Sequence, residues 1–259
     1  MSDAYAGGDL ARRGATLIER ATRDEGDANA LMDLSIVLQL VGQRDVGLAT
    51  QSQALALQQL YSLPVRSERT IRVLALMTRG DLSTNAPLEF LAERADVSLD
   101  LLYLATDLPF PAAIPEHDVL YIAINESDET RPLLRELQAL VKIWPRPVIN
   151  QPERILSLSR DEACVRLGPV PGVVMPPVAR TDRASLEQVA RAERSIASIL
   201  SDLTFPIIVR PVGSHAGRGL IKCESAEAIE PYLQQLSDHE FYVSRFIDYS
   251  GTDGLFRKY

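Results

Sequence analysis

The sequence predicts an α/β protein that begins with a helical region. Apolar or small residues recur at helical spacing from Leu10 to about Leu63. Farther along the chain, short continuous apolar runs alternate with helical patterns, which is typical of a mostly parallel sheet buried on both faces. Within Phe205–Ser225, two apolar runs flank a glycine-rich loop, and this pattern predicts a smaller α+β lobe.

Helical patterns make up the N-terminal region, over Leu10–Ala21, Leu31–Val41 and Val46–Leu60. Gly42 is expected to end the second helix, and Asp45 is expected to cap the third. The helices over Asn29–Leu57 resemble one tetratricopeptide repeat, and a plain helical hairpin that packs on the next domain is the alternative. Because stacked repeats need several copies for stability, we expect this hairpin to dock elsewhere or to help form a homo-oligomer.

The middle of the chain follows a predicted linker, Pro64–Thr70. Strands are predicted at Ile71–Met77, Leu99–Leu104, Asp118–Ile124 and Pro147–Ile149, with helices at Pro87–Ala95 and Thr130–Ile143. In open parallel sheets, ligands bind outside the carboxyl ends of the strands. The loops Thr78–Asn85 and Asn125–Asp128 are therefore candidates for the substrate side, and ordinary loop polarity is the alternative.

The last part of the chain combines strands and helices at shorter spacing. A helix is predicted over Ala184–Leu200, and a second helix from Ser225 to Leu236, with Ser225 as its N-cap. Phe241–Ile247 alternates in the manner of a strand. Together with the strands that flank the glycine-rich loop, these elements predict a small α+β lobe.

The glycine-rich loop indicates a ligand class more directly than any other segment. Glycines allow positive φ, and successive free N–H groups form a concavity that binds anions. Arg210 and Arg218 flank this loop with positive charge. The loop lacks the Gly-Lys-Ser/Thr sequence of a P-loop, and its glycines lie between two strands rather than before a helix. The sequence therefore predicts a lid over a polyphosphate, with a glycine-rich hairpin that binds nothing as the alternative.

Five segments, in order, resemble the ATP-grasp superfamily. Phe205–Gly219 is similar to the strand and glycine-rich loop of that family, and four further segments match it at Val148–Pro152, Ser159–Leu167, Val170–Pro177 and Glu240–Asp248. The branch with the greatest similarity is that of the carboxylate–amine ligases typified by ribosomal-protein glutamate ligases. The resemblance implies a Rossmann-like pre-ATP-grasp domain over residues 65–182 and a first ATP-grasp lobe over residues 183–259, after the helical region 1–64.

The resemblance also implies ATP as cofactor and a set of residues that bind it. Arg210 matches the lysine that contacts phosphates, and the loop residues that match the cover over the phosphates are Gly213, Ser214, His215, Ala216, Gly217, Arg218 and Gly219. The hinge strand that cups adenine matches Tyr242, Val243, Ser244 and Phe246, where backbone groups are expected to read the base. Glu162 replaces a second lysine, and Arg160 is expected to supply that charge unless it is a plain surface residue.

The chain departs from the family pattern near its last residue. Gly254–Tyr259 looks like the start of a further strand, and the metal-binding residues of the family would lie beyond it. The expectation is therefore a truncated chain with an incomplete lobe, without ligase activity of its own, that uses Mg²⁺ only in a longer form. No catalytic residue and no metal ligand is predicted.

Composition restricts the function classes. The 259 residues carry a net charge of −8, which argues against a general nucleic-acid binder. Two cysteines and three histidines show no metal-ligand spacing, and neither a signal peptide nor a membrane-length apolar run is visible, so a cytoplasmic protein is expected. An ATP-dependent ligase acting on a peptide or protein substrate and a non-catalytic scaffold both stay open. A dehydrogenase is disfavoured because Arg79–Asp81 has no glycine-rich turn.

Overall fold

A computed structural model of the chain describes residues 6–63, 71–92, 95–111, 113–214 and 217–257. The chain divides into two compact units, Met1–Leu156 and Ser157–Tyr259. The predicted linker Pro64–Thr70 lies outside the described residues. The predicted three-domain division stays a prediction, and the second unit contains the strand Val178–Asp182 that the prediction gave to the middle domain.

Helices open the first unit, as predicted: α1 (Leu10–Arg23), α2 (Ala28–Leu40) and α3 (Arg44–Leu57). The side chains of Asp9 and Asp27 accept hydrogen bonds from the first-turn amides of α1 and α2, so both are N-caps. Gly42 follows α2 at a φ of 85°, which suits a helix end. The prediction that Asp45 caps α3 is wrong, because Asp45 lies inside the first turn and Gln43 is the N-cap residue.

A mostly parallel sheet follows, with the strand order β1-β3-β2-β4-β5 among the described residues. Its strands are β1 (Leu60–Ser62), β2 (Ile71–Thr78), β3 (Val97–Leu104), β4 (Val119–Ile122) and β5 (Val148–Ile149). Only β1 runs antiparallel to its neighbour in this sheet. The sequence prediction assigned Leu60 to a helix; instead the chain leaves α3 and turns back along β3, where the Tyr61 hydroxyl donates to the carbonyl of Ala54 at 3.2 Å.

The sheet of the first unit is buried on both faces. Leu74, Leu76 and Leu120 pack with α5 (Arg131–Lys142) and α6 (Pro152–Ile155) in one apolar cluster. On the other face, Ala75 and Met77 pack with residues of α2 and α3 and with the short helix α4 (Leu88–Leu91). Apolar side chains that alternate between the two clusters explain the continuous apolar runs of the sequence.

An antiparallel sheet organises the second unit, in the order β6-β9-β7-β8. Its strands are β6 (Val178–Asp182), β7 (Ile207–Pro211), β8 (Ile221–Cys223) and β9 (Glu240–Arg245), and its helices are α7 (Arg160–Leu167), α8 (Arg183–Ala190) and α9 (Ile229–Leu233). Ile207, Val209, Phe241 and Val243 are fully buried in one cluster with residues of α8 and α9. The helices therefore cover that face of the sheet.

Three details of the second unit differ from the prediction. The resemblance of Val170–Pro177 to a family segment implies a strand there, and this is wrong. Extended pairing begins only at Val178, after two prolines that cannot donate to a ladder. The helix predicted over Ala184–Leu200 ends at Ala190, where Ala192 takes a φ of 58° and breaks the helical path. Ser225 precedes a short 3₁₀ turn, and its side chain makes no capping hydrogen bond.

The segment after β9 is a turn rather than the predicted strand. Residues 254–257 contain no strand, and the amide of Gly251 donates to the carbonyl of Leu255 at 3.0 Å. Asp253 and Arg257 form an ion pair across this turn. The prediction that Gly254–Tyr259 starts a strand is therefore wrong over these described residues; Lys258 and Tyr259 lie outside them.

Candidate functional site

The candidate site lies on the face of the second unit's sheet opposite the one that α8 and α9 cover, which we call the open face. Arg210 of β7 stands opposite Tyr242 of β9, and Tyr242 stands opposite Arg180 of β6. Residues in register on neighbouring strands point to the same face, so these three side chains form a row across the sheet. The neighbours of Tyr242 along β9, Phe241 and Val243, point to the core instead.

Arg210 holds the start of the glycine-rich loop. Its Nε donates to the Ser214 hydroxyl at 3.1 Å, and its Nη2 donates to the same oxygen at 3.0 Å and to the Ser214 carbonyl. The Ser214 hydroxyl in turn donates to the carbonyl of Pro211 at 2.8 Å, and Ser214 is only 3% exposed. The first residues of the loop are therefore fixed against β7 by a buried polar network.

The far end of the loop is fixed against β7 and α9. Gly219 has a φ of 64°, and a Cβ atom there would lie 2.8 Å from the Cδ of Pro211. The Tyr232 hydroxyl donates to the carbonyl of Gly219 at 2.7 Å. Between these anchors, Gly217 and Arg218 are exposed. Sequence reasoning missed Tyr232, because a tyrosine in a short helix carries no signal of a partner 13 residues away.

Arg160 lies beside the same row of side chains. It begins α7, and its guanidinium carbon is 6.0 Å from the ring centroid of the buried Tyr242. Burial lowers the pKa of Arg210, and the positive charge of Arg160 lowers that pKa further. Two guanidinium groups therefore repel each other at this place, which favours an anion between or above them.

The predicted hinge strand contributes side chains rather than backbone. β9 is paired with β6 on one side and β7 on the other, so the backbone groups of Tyr242, Val243 and Ser244 are used in the two ladders. The Val243 side chain is fully buried in the core. This pairing disfavours the expectation that backbone groups of these three residues read a base, which stays a prediction. The side chains of Tyr242 and Ser244 lie on the face of the sheet away from α8 and α9, where Tyr242 is only 8% exposed.

Phe246 lies at the other end of β9, among groups that the sequence did not connect to it. The Lys222 ammonium is 4.1 Å from its ring centroid, and the ring of Phe256 is 6.1 Å away. Phe246 follows Tyr242 by four positions, which is roughly 13 Å along a strand. The aromatic group and the paired arginines therefore mark opposite ends of one open face. His215 and Ala216 lie outside the described residues.

The first unit brings its two predicted loops together at the carboxyl edge of its sheet. The Asn85 side-chain oxygen accepts a hydrogen bond from the Thr78 backbone N–H at 2.9 Å, and its side-chain nitrogen donates one to the Thr78 carbonyl at 2.7 Å. The Asn125 side chain donates to the carbonyl of Ser83 at 2.8 Å, which joins the second loop to the first. Both asparagines are thus engaged in holding the loops.

The described residues contain neither a metal-ligand cluster nor a membrane-spanning helix. No group of three or more His, Cys, Asp or Glu side chains there could hold a metal ion. No helix of this part of the chain has the length and apolar character that crossing a membrane requires.

Several solved structures resemble this chain over about two thirds of its length. The RimK domain protein ATP-grasp of Sphaerobacter thermophilus is 18% identical with a TM-score of 0.41, covering 68% of this chain and 64% of its own. The VanG D-Ala:D-Ser ligase of Enterococcus faecalis is 14% identical with a TM-score of 0.43, covering 70% and 64%. The chain resembles ATP-grasp proteins.

A third similar structure is an ATP complex. The carboxyaminoimidazole ribonucleotide synthase of Asperigillus clavatus is 14% identical with a TM-score of 0.44, covering 68% of this chain and 47% of its own. The chain thus spans less than two thirds of the length of these ATP-grasp-like structures. At TM-scores below 0.5, the likeness transfers no activity, substrate or site residue. No protein-family model matches the chain, and no curated protein matches it.

Proposed function

We propose that the chain is an ATP-binding member of a carboxylate–amine ligase family of the ATP-grasp type, and that the open face of its second unit holds the nucleotide. The observation that carries the proposal is the pair Arg160 and Arg210 beside an anchored glycine-rich loop. The five ordered sequence segments that resemble the family support the same conclusion independently of that geometry.

The paired arginines match the chemistry of a phosphate chain. Arg210 is partly buried and Arg160 lies close enough to lower its pKa, so an anion bound there would remove a repulsion that the ligand-free protein carries. A guanidinium group binds phosphate oxygens through two parallel hydrogen bonds. The loop Gly213–Gly219 starts beside Arg210, where its backbone N–H groups add a second set of donors.

The opposite end of the open face suits the base of the nucleotide. Phe246 offers an aromatic ring, and Tyr242 and Ser244 lie between it and the arginines. Stacking on aromatic side chains is sequence-tolerant and contributes about 1–3 kcal/mol per base. We therefore assign the phosphates to Arg160, Arg210 and the loop, and the adenosine to the side chains of Tyr242, Ser244 and Phe246.

In the proposed reaction, ATP phosphorylates a carboxylate and an amine then displaces phosphate from the acyl phosphate. Positioning and charge neutralisation supply most of the catalysis in such a step. The arginine pair provides the charge neutralisation. Mg²⁺ accompanies ATP in this proposal, but the described residues offer no carboxylate cluster, so none of them is proposed as its ligand.

The finer assignments of the first unit are part of the same proposal. We take its parallel sheet as the Rossmann-like pre-ATP-grasp domain, with the loops at its carboxyl edge on the substrate side. The α2–α3 pair is proposed to be tetratricopeptide-like and to dock a peptide or protein substrate or a second copy of the chain. We also propose a cytoplasmic location.

Thermal stabilisation by ATP and ADP, with and without Mg²⁺, tests the proposal. A ligand that binds only the folded state raises Tm. We expect a saturable rise in Tm for the wild type. Arg160→Ala should bind the nucleotide at least roughly tenfold more weakly than the wild type, since a charge-assisted hydrogen bond contributes about 1.5–3 kcal/mol. Arg210→Ala should lose the rise as well, but it also releases Ser214, so Arg160→Ala is the cleaner variant.

Arg191→Ala is the matched control. Arg191 is an exposed arginine that follows α8 and lies 4.0 Å from Glu187, so its replacement removes the same charge from the same unit. It should keep the full rise in Tm. Equal rises in Arg160→Ala and Arg191→Ala would remove the arginine pair from the site. No rise in the wild type would leave the non-catalytic scaffold as the better description.

A further inference from the structure

A buried histidine and the one tryptophan of the chain form a hydrogen-bonded pair at the amino edge of the first sheet. His117 lies just before β4 and is only 7% exposed, and Trp144 lies just after α5. The Trp144 Nε1 atom donates to His117 Nε2 at 2.9 Å, and His117 Nδ1 lies 2.9 Å from the carbonyl oxygen of Pro115. Both ring nitrogens of the imidazole are therefore engaged with the protein.

These two partners fix the protonation state of the imidazole. A carbonyl oxygen can only accept a hydrogen bond, and an indole N–H group can only donate one. Nδ1 of His117 must therefore carry a proton, and Nε2 must offer its lone pair to Trp144. A proton on Nε2 would set two N–H donors against each other at 2.9 Å, so this hydrogen bond exists only while the imidazole is neutral.

The charged side chains near the pair come from the residues beside His117, from β2 and from the residues beside Trp144. They are Glu116, Asp118, Arg72, Lys142 and Arg146. Arg72 donates to both carboxylates, and its hydrogen bonds lower the pKa of the Asp118 carboxyl to about 2. Trp144 itself packs against the apolar cluster of the sheet. Carboxyl, lysine and arginine groups ordinarily titrate outside the range of about pH 5 to 8, in which histidine changes its charge.

The pair attaches a lightly held segment, residues 143–147, which joins α5 to β5. The amides of Ile143 and Trp144 lie 3.3 Å from carbonyl oxygens of α5, which is long for a hydrogen bond between N–H and oxygen. At the other end, the Leu120 amide donates to the carbonyl of Pro147 at 2.9 Å, and β5 has only two residues. Ile143 is 81% exposed. The indole of Trp144 therefore supplies much of what holds this segment to the first unit.

We propose that His117 and Trp144 form an acid-sensitive switch. A proton from solvent binds to His117 Nε2, breaks the indole hydrogen bond and releases residues 143–147, and loss of that proton restores the contact. Because this segment leads into β5 and α6, the last elements of the first unit, acidification loosens the end of the unit while the rest of its sheet stays folded. The switch uses residues of the first unit alone and does not depend on the proposed nucleotide site.

The single tryptophan makes the contact directly measurable, since fluorescence and the indole N–H resonance both report Trp144 alone. The experiment titrates the whole chain from about pH 8 to about pH 5 without nucleotide and follows both signals. Far-UV circular dichroism shows whether the fold persists. We expect one reversible step, in which the emission maximum moves to longer wavelength and the indole resonance shifts, while the circular dichroism stays constant.

His117→Gln decides whether the step belongs to this histidine. The amide oxygen of glutamine can replace Nε2 as an acceptor, and the amide does not gain a proton in this range. Both signals should therefore stay flat in the variant. His239→Gln is the matched control: His239 is an exposed histidine of the second unit, and its replacement should leave the step unchanged.

Trp144→Phe tests the proposal even where His117→Gln fails to fold. The variant keeps an aromatic ring and removes the indole N–H donor. Its Tm should lie below that of the wild type at about pH 8, and this difference should shrink toward about pH 5, because acid breaks the same hydrogen bond in the wild type.

Four results would overturn the proposal. They are no step in the wild type, a step that persists in His117→Gln, a step that coincides with loss of the circular dichroism signal, and a difference in Tm for Trp144→Phe that does not change with pH. The titration contains no nucleotide, so its failure and the failure of nucleotide binding remain distinguishable.

Discussion

The sheets of the two units present their side chains in different ways. In β2 of the first unit, Leu76 and Met77 point to opposite faces and both are buried. In β7 of the second unit, Val209 is fully buried, whereas its neighbour Ile208 is only half-buried and shares its face with Arg210. A sheet whose two faces are both covered can present polar side chains to a ligand only at its strand ends. A sheet with one uncovered face can present them along the strands as well.

The largest expected effect tests that difference directly. Leu76→Ala and Met77→Ala should each destabilise the fold by about 2–5 kcal/mol, because each leaves a cavity in a packed cluster. In β7, Val209→Ala should destabilise the second unit, whereas Ile208→Ala should change its stability by less than about 1 kcal/mol. Denaturant unfolding of the four variants measures these values. A similar loss for Ile208→Ala and Val209→Ala would mean that the second sheet is covered on both faces.

A smaller effect is expected at the loop of the second unit. Gly219→Ala places a Cβ atom 2.8 Å from Pro211 at a φ of 64°, so we expect destabilisation of roughly 1–3 kcal/mol. Gly213→Ala is the control, because its φ is 72° but its added Cβ meets no atom within 4 Å. Unfolding midpoints of the two variants separate the contact from the backbone strain. If the two are equally unstable, the contact with Pro211 contributes nothing.

The smallest expected effect concerns the amino edge of the first sheet. Hydrogen bonds from Arg72 lower the pKa of the Asp118 carboxyl to about 2, from its ordinary value near 4. Because the folded value is the lower one, this carboxylate stabilises the fold above about pH 4, and the contribution is lost as the pH falls toward 2. Asp118→Asn should therefore flatten the stability profile within that range, as measured by unfolding from pH 2 to pH 7. An identical slope in both proteins would contradict the pairing with Arg72.

Much of the fold could be predicted from the sequence because periodicity reports local burial. The apolar runs of β2, β3 and β4 and the helical patterns of α1 to α3 lie where they were expected. β1 was missed because its residues continue the apolar pattern of α3, and only their pairing with β3 makes them a strand. Prolines before β6 and the positive φ of Ala192 moved two further boundaries.

The candidate sites could be predicted only in part. The glycine-rich loop and Arg210 are contiguous in sequence, so their chemistry is readable from the residues alone. The approach of Arg160 to Tyr242 joins residues 82 positions apart, and no periodicity encodes such a contact.

The clasp between Arg210 and Ser214 has a consequence for the order of events during binding. Nε and Nη2 are one of the donor pairs with which a guanidinium group grips two oxygens side by side, and Ser214 occupies both. A phosphate that takes this pair must displace Ser214, so ligand and loop compete for the same donors. Binding of a phosphate to Nε and Nη2 of Arg210 and release of Ser214 are then a single exchange of hydrogen-bond partners.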